Sequence, residues 1–198
     1  MKVTAKSKID VSLGWFPKAY WKYLLATALF GIGNPSNAFL ILQTKDLGAS
    51  LTMTILIYAS FNLVAALTSY PAGFLSDRFG RRNILVVGFA TFLATYLGFA
   101  LTRSVALVAV FFVCYGIYQG IFRSVGKALA SDYMPERLRA SGIGWYNTTI
   151  GLCGFVASLV AGWLWDNIGH AAVFLFGAAF AVVGGLALLA LVPGKPKA

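Results

Sequence analysis

Six long apolar runs constrain this chain more than any other feature. They cover roughly 20–42, 51–75, 84–102, 105–129, 142–164 and 171–192, each about 19–25 residues long. A run of about 18 or more apolar residues reads as a bilayer span, and at 1.5 Å per residue these suffice to cross roughly 30 Å of hydrocarbon. Barrel strands would show segments of about ten residues with alternating polarity, so the expected spans are helices. Composition agrees: 59% of residues are hydrophobic and 11% are charged, against about 25% charged in a soluble domain. Too little polar surface remains to cover a water-soluble core.

The first run holds a polar interruption at Gly31, Gly33, Asn34, Pro35, Ser36 and Asn37. Lys2, Lys6 and Lys8 followed by Leu24–Phe30 and Ser36-Asn37-Ala38 has the outline of a weak signal peptide. The apolar run resumes at Phe39–Leu42 and five more follow, so the segment reads as a first span with a break near mid-membrane. Proline removes a backbone donor and glycine loosens the helix.

A net charge of +10 in a soluble protein would point to nucleic acid; here the basic residues lie between apolar runs, where the phosphates they meet are lipid headgroups. With the N-terminus cytosolic, one side of the membrane holds Lys2, Lys6, Lys8, Lys18, Lys22, Arg78, Arg81, Arg82, Arg137, Arg139, Lys195 and Lys197. The other holds Lys45 and Arg103. This asymmetry places both termini in the cytosol and favours six crossings. The organisation expected is a cytosolic N-terminal segment over 1–19, a transmembrane domain over 20–192 and a cytosolic tail over 193–198. Trp15, Phe16, Trp21 and Tyr23 suit an inner-face aromatic belt.

Two span ends match at a constant offset. Ala72-Gly73-Phe74-Leu75-Ser76-Asp77-Arg78-Phe79-Gly80 closes the second, and Ala161-Gly162-Trp163-Leu164-Trp165-Asp166-Asn167-Ile168-Gly169 closes the fifth. One would end in the cytosol and the other outside, so a three-helix unit repeats upside down, the inverted 3+3 plan of secondary transporters.

The stretch Gly73-Phe74-Leu75-Ser76-Asp77-Arg78-Phe79-Gly80-Arg81-Arg82 resembles the G-x-L-x-D-R-x-G-R-[RK] loop signature of the major facilitator superfamily. That family has twelve helices in two six-helix halves, with the signature between the second and third helix of a half. Physically, Gly73 suits close helix approach, Gly80 a turn with positive φ, and Asp77 the N-terminus of a neighbouring helix. Arg78, Arg81 and Arg82 suit anionic lipid and gate carboxylates. Asp132–Gly142, with Pro135 and Arg139 in a P-x-x-x-R spacing, is similar to the cytosolic loop before the fifth helix of a half. The resemblance runs from about Tyr20 to Leu191 and is closer to the C-terminal half of the family. It implies an all-α, six-helix half of a transporter fold in a plasma (inner) membrane, without cofactor, metal or enzymatic chemistry. It also implies membrane lipid and a small solute as partners, alternating access as the mechanism, and a second six-helix half or a second copy to complete the substrate cavity. The alternative is a non-transporting membrane protein, such as an assembly partner or an inactive fragment.

All six acids (Asp10, Asp46, Asp77, Asp132, Glu136, Asp166) fall in loops or at span ends. The fourth span carries Gln119, Arg123 and Lys127 every four residues on one face. A charge at a span centre costs about 2.5–3.5 kcal/mol, so Arg123 either meets substrate or snorkels to headgroups, and it leans toward an anionic or neutral solute. Gly116-x-x-x-Gly120 is a close-packing signal. Asn34 and Asn37 fit either a cavity or helix-to-helix hydrogen bonds, and Asn62 and Asn147 are weaker pathway candidates. Cys114 and Cys153 read as small core residues. One histidine, His170, supports neither a His-based metal cluster nor a catalytic triad. Gly120 to Gly126-Lys127-Ala128 misses the phosphate-loop spacing and its Ser or Thr.

Overall fold

The computed structural model describes residues 15–194. Of the expected cytosolic segments 1–19 and 193–198, residues 1–14 and 195–198, with Lys2, Lys6, Lys8, Asp10, Lys195 and Lys197, lie outside the described residues. The described chain folds as helices: α1 (Lys18–Ile32), α2 (Ala38–Asp46), α3 (Leu51–Phe79), α4 (Arg81–Leu101), α5 (Val105–Asp132), α6 (Arg139–Asn167) and α7 (His170–Leu191), with a 3-10 turn at Glu136–Leu138. Five of them, α3 to α7, are individually long and apolar enough to cross a membrane.

The first run is divided, as its polar residues led us to expect. α1 has 15 residues and α2 has 9, and each alone falls short of a crossing length. Gly33 and Asn34 close α1 by donating to Phe30 and Gly31 carbonyls, and Ser36 donates its N–H to Ser158 Oγ of α6 at 3.0 Å.

The signature expected to be a loop is almost entirely helical. Asp77 and Arg78 complete the last turn of α3, Arg81 and Arg82 open α4, and Gly80 alone separates them at φ 91°. Ile168 and Gly169 join α6 to α7, with Gly169 at φ 121°. Only glycine takes such a φ without strain. α3 and α6 both have 29 residues, and α4 and α7 have 21 and 22.

The bundle centres on α5, which packs chiefly on α3 and α4, while α1 packs on α7 and α6. Lipid offers no hydrophobic drive between helices, so association depends on close van der Waals contact at small residues. Gly116 and Gly120 supply it, passing beneath the Phe61 and Ala65 carbonyls of α3. Gly184 of α7 lies against the Phe30 backbone. Around Phe30 an aromatic layer forms with Phe89 stacked at 3.9 Å and Phe92, Tyr118 and Phe122 about it.

Two expectations need correction. Gly73 meets nothing within 4 Å, so within this chain it serves no close approach. Of the expected belt, Trp15 and Trp21 are exposed, but Phe16 and Tyr23 are buried. Tyr23 stacks on Tyr146 at 5.8 Å and donates its hydroxyl to the Gly126 carbonyl at 2.8 Å, which makes it a core residue.

A Cβ on Gly120 would stand 2.7 Å from the Ala65 carbonyl oxygen and 2.8 Å from Thr68 Cβ. Gly120→Ala should therefore destabilise the chain by about 1–3 kcal/mol. Gly185→Ala, where nothing lies within 4 Å, should be neutral or stabilising by up to about 1 kcal/mol. Thermal unfolding in detergent distinguishes the two.

Candidate functional site

The break between α1 and α2 opens a cavity of about 360 Å³ against α5 and α6. Asn34, Pro35, Ser36 and Asn37 line it from the break, Gln119, Phe122, Arg123 and Lys127 from α5, and Tyr146, Asn147 and Ile150 from α6. The fold thus gathers five of the six pathway candidates: Asn34, Asn37, Gln119, Arg123 and Asn147. Asn62 is elsewhere. It sits exposed on α3 and donates its amide to the Tyr58 carbonyl.

Hydrogen bonds to α5 hold the break in place. Asn34 donates its amide to Tyr118 Oη at 2.9 Å. Tyr115 Oη donates to Asn37 Oδ1 at 2.8 Å and lies 3.3 Å from Gln119 Nε2. Both tyrosines are fully buried. The two asparagines therefore do what both readings allowed, bridging helices while bordering the cavity. Tyr115 and Tyr118 were not singled out from sequence, although Tyr115 continues the four-residue spacing of Gln119, Arg123 and Lys127. At the Lys127 end, Tyr146 Oη and Thr27 Oγ1 are buried without a hydrogen-bond partner among the described residues.

The signature residues form a second constellation at one end of the bundle. Arg81 reaches Asp132 of α5 at 3.1 Å and Asp77 of its neighbouring turn at 3.3 Å. Arg82 donates to the Val192 carbonyl at 2.7 Å, and Tyr133 Oη to the Pro193 carbonyl at 2.9 Å, so both secure the C-terminal end of α7. A cation there also complements the helix dipole. Burial pushes the Tyr133 hydroxyl up to about 12, with Arg82 pulling it down and Asp132 adding to the rise. Tyr133 therefore keeps its proton and its bond at any physiological pH. Asp77 itself remains largely exposed (69% of its side chain), and among the described residues its one ion pair is with Arg81. Arg78 lies over the Phe79 ring at 5.5 Å.

A bundle of long apolar helices around a polar break defines an integral membrane protein. A family model described as the Major Facilitator Superfamily matches residues 23–198, and the chain belongs to that superfamily. It is 35% identical over 190 residues to an uncharacterised MFS-type transporter of Methanocaldococcus jannaschii, covering 93% of this chain and 48% of the relative. It is 30% identical over 168 residues to the tetracenomycin C resistance and export protein of Streptomyces glaucescens, covering 83% and 30%. An uncharacterised MFS-type transporter of Bacillus subtilis is 27% identical over 196 residues, covering 97% and 49%. The chain thus spans about half the length, or less, of the curated relatives it matches.

Replacing Asn34 by leucine would strand the buried Tyr118 hydroxyl, at a cost of about 1–3 kcal/mol. Adding Tyr118→Phe to Asn34→Leu should recover most of that loss, because both partners are then apolar. Unfolding midpoints of the single and double variants check this.

Proposed function

We propose that this chain is one six-helix half of a secondary transporter that moves a small solute by alternating access, with the cavity at the α1–α2 break as its share of the solute path. The observation that carries this reading is the convergence of Asn34, Asn37, Gln119, Arg123 and Asn147 on that one cavity. In secondary transporters, discontinuous helices expose polar backbone and side chains where substrate binds. The relatives named as transporters support the class of function. The name of the Streptomyces relative raises export of an organic compound as one form it takes.

In this reading α1 and α2 together make a first, broken crossing, so residues 20–192 cross six times. The three-helix units α1/α2–α3–α4 and α5–α6–α7 are inverted copies. Their matching helix lengths, the paired glycine junctions and the exchange of partners support this: α5 packs on α3 and α4, and α1 on α6 and α7. Both termini face the cytosol, since Arg81, Arg82, Arg137 and Arg139 gather at the end of the bundle opposite Lys45 and Arg103. The membrane is the plasma (inner) membrane, and Arg78 and its neighbours meet its anionic lipid.

A second six-helix unit completes the site. α3 and α6 are the least buried of the long helices; α6 buries only Gly142, Tyr146, Ala157 and Ala161. Their exposed stripes correspond at the offset of the repeat: Leu63 with Leu152, Leu67 with Val156, Tyr70 with Leu159, and Phe74 with Trp163. Asp77, exposed at the end of α3, suits the start of an α6-like helix, and α6 itself begins without a side-chain cap. In a homodimer that start is the Arg139–Gly142 region of the other copy.

Cysteine cross-linking tests the arrangement. A chain carrying Asp77→Cys and Ser141→Cys should give a disulfide-linked dimer in membranes if the second unit is another copy. Absence of that product, with restored solute efflux from liposomes only when a different six-helix polypeptide is added, assigns the role to that partner. Liposomes loaded with a small-molecule mixture and assayed by mass spectrometry should lose a defined solute once both units are present. No loss in either arrangement would instead favour a non-transporting assembly partner.

A further inference from the structure

The cavity is lined by two cations and, among the described residues, by no acid. Arg123 and Lys127 stand one turn apart on α5, both exposed toward it. Neither forms an ion pair among the described residues, where the salt bridges all belong to Arg81. The described acids, Asp46, Asp77, Asp132, Glu136 and Asp166, sit at helix ends away from this lining. An ionisable side chain at membrane depth is expensive and is retained where a counter-charge or a water-filled path meets it.

The hydrogen bonds already made define what else the site offers. Asn37 has its oxygen engaged by Tyr115, which leaves its amide N–H groups free to donate. Asn34 spends an N–H on Tyr118 and keeps its oxygen. Asn147 makes no side-chain hydrogen bond among the described residues and is exposed. Facing these groups are Pro35, Phe122 and Ile150, an apolar wall beside the cationic one.

We infer that this cavity selects small amphipathic anions, holding a carboxylate or phosphate between Arg123 and Lys127 while an apolar body rests on Phe122 and Ile150. The inference rests on the reading of the cavity as part of a solute path, and it adds the chemical class of that solute. The guanidinium of Arg123 presents a planar fork that suits two oxygens of one anionic group, and Lys127 adds a point charge a turn away. Asn37 and Asn147 donate to the remaining lone pairs of the anionic group. A cationic solute meets repulsion from both side chains, and a neutral one leaves two charges uncompensated.

Benzoate and its uncharged near-isostere benzamide test this by ligand-observed NMR, on the chain in nanodiscs of phosphatidylcholine. Benzoate should bind saturably and benzamide about tenfold more weakly or not at all, the loss expected for one charge-assisted hydrogen bond. Arg123→Gln should erase that preference, Lys127→Gln should reduce it, and Arg123→Lys should keep part of it. Because Arg123 is exposed, the glutamine variant should unfold at the wild-type temperature, which separates lost binding from lost fold. Equal binding of the two probes, or benzoate binding unchanged in Arg123→Gln, overturns the inference. Replacing part of the lipid with phosphatidylglycerol identifies the source of the anion: if it displaces benzoate through Arg123, the site takes a lipid phosphate; if it leaves benzoate bound, the site takes a free solute. Binding is read without flux, so the two readings fail separately. Benzoate selectivity without transport removes the transport reading alone, and flux of neutral solutes without anion preference removes this one alone.

Discussion

A helix that stops inside a bundle leaves polar groups to be satisfied, and the α1–α2 break satisfies its own through α5 and α6. α1 stops at Ile32. Gly33 and Asn34 turn their N–H groups back onto α1, Pro35 has none to satisfy, and Ser36 donates to Ser158 of α6. The Asn34 and Asn37 side chains then tie the break to Tyr118 and Tyr115 of α5. This anchoring sets the rotation of α5. Residues 119, 123 and 127 follow Tyr115 at four-residue intervals, so the face that holds the break also carries the polar stripe away from it. The cavity and its charges are therefore a consequence of closing the break.

That coupling explains how much could be read from the sequence. Apolar runs announced the long helices, and the Gly-Asn-Pro-Ser-Asn cluster announced the break, because both are local signals. Helix ends were harder. Asp77 and Arg78 look like loop residues, yet they complete the last turn of α3, and the chain turns only at Gly80, where φ is positive. The polar stripe on α5 was visible as a spacing and the break as a composition. Their meeting was not, since Asn34 and Tyr118 lie 84 residues apart. Tyr23 shows the opposite error: an aromatic residue beside N-terminal lysines reads as interfacial, and only its bond to Gly126, 103 residues on, makes it core. Asn62 failed for a related reason, because a lone polar residue in an apolar run carries no information about which way it faces.

The signature stretch acts differently from the cavity. Arg81 and Arg82 do not wait in a loop for a ligand; they are already engaged, while Arg78 lies over the Phe79 ring. Arg81 joins the α3–α4 junction to the end of α5, and Arg82 with Tyr133 secures the end of α7. Three helix ends are thereby tied at one point by charged and carbonyl groups. Asp77 is the member left facing outward, with one exposed intrahelical pair that adds little by itself. Its position suits a contact outside the chain better than a role within it.

The apolar stripes of α3 and α6 do not by themselves call for a protein partner, since lipid tails are as apolar as leucine and cover such faces at no cost. Polar groups on the cavity side behave differently. Arg123, Lys127 and Asn147 are exposed on the cavity side, between the break and α6. Acyl chains packed against that lining would leave two charges and an amide without partners, each a cost of kilocalories. Water and a second polar wall remove that cost where lipid cannot. The polar lining of the cavity, more than any exposed leucine, marks the face of the bundle that acyl chains alone cover only at a cost.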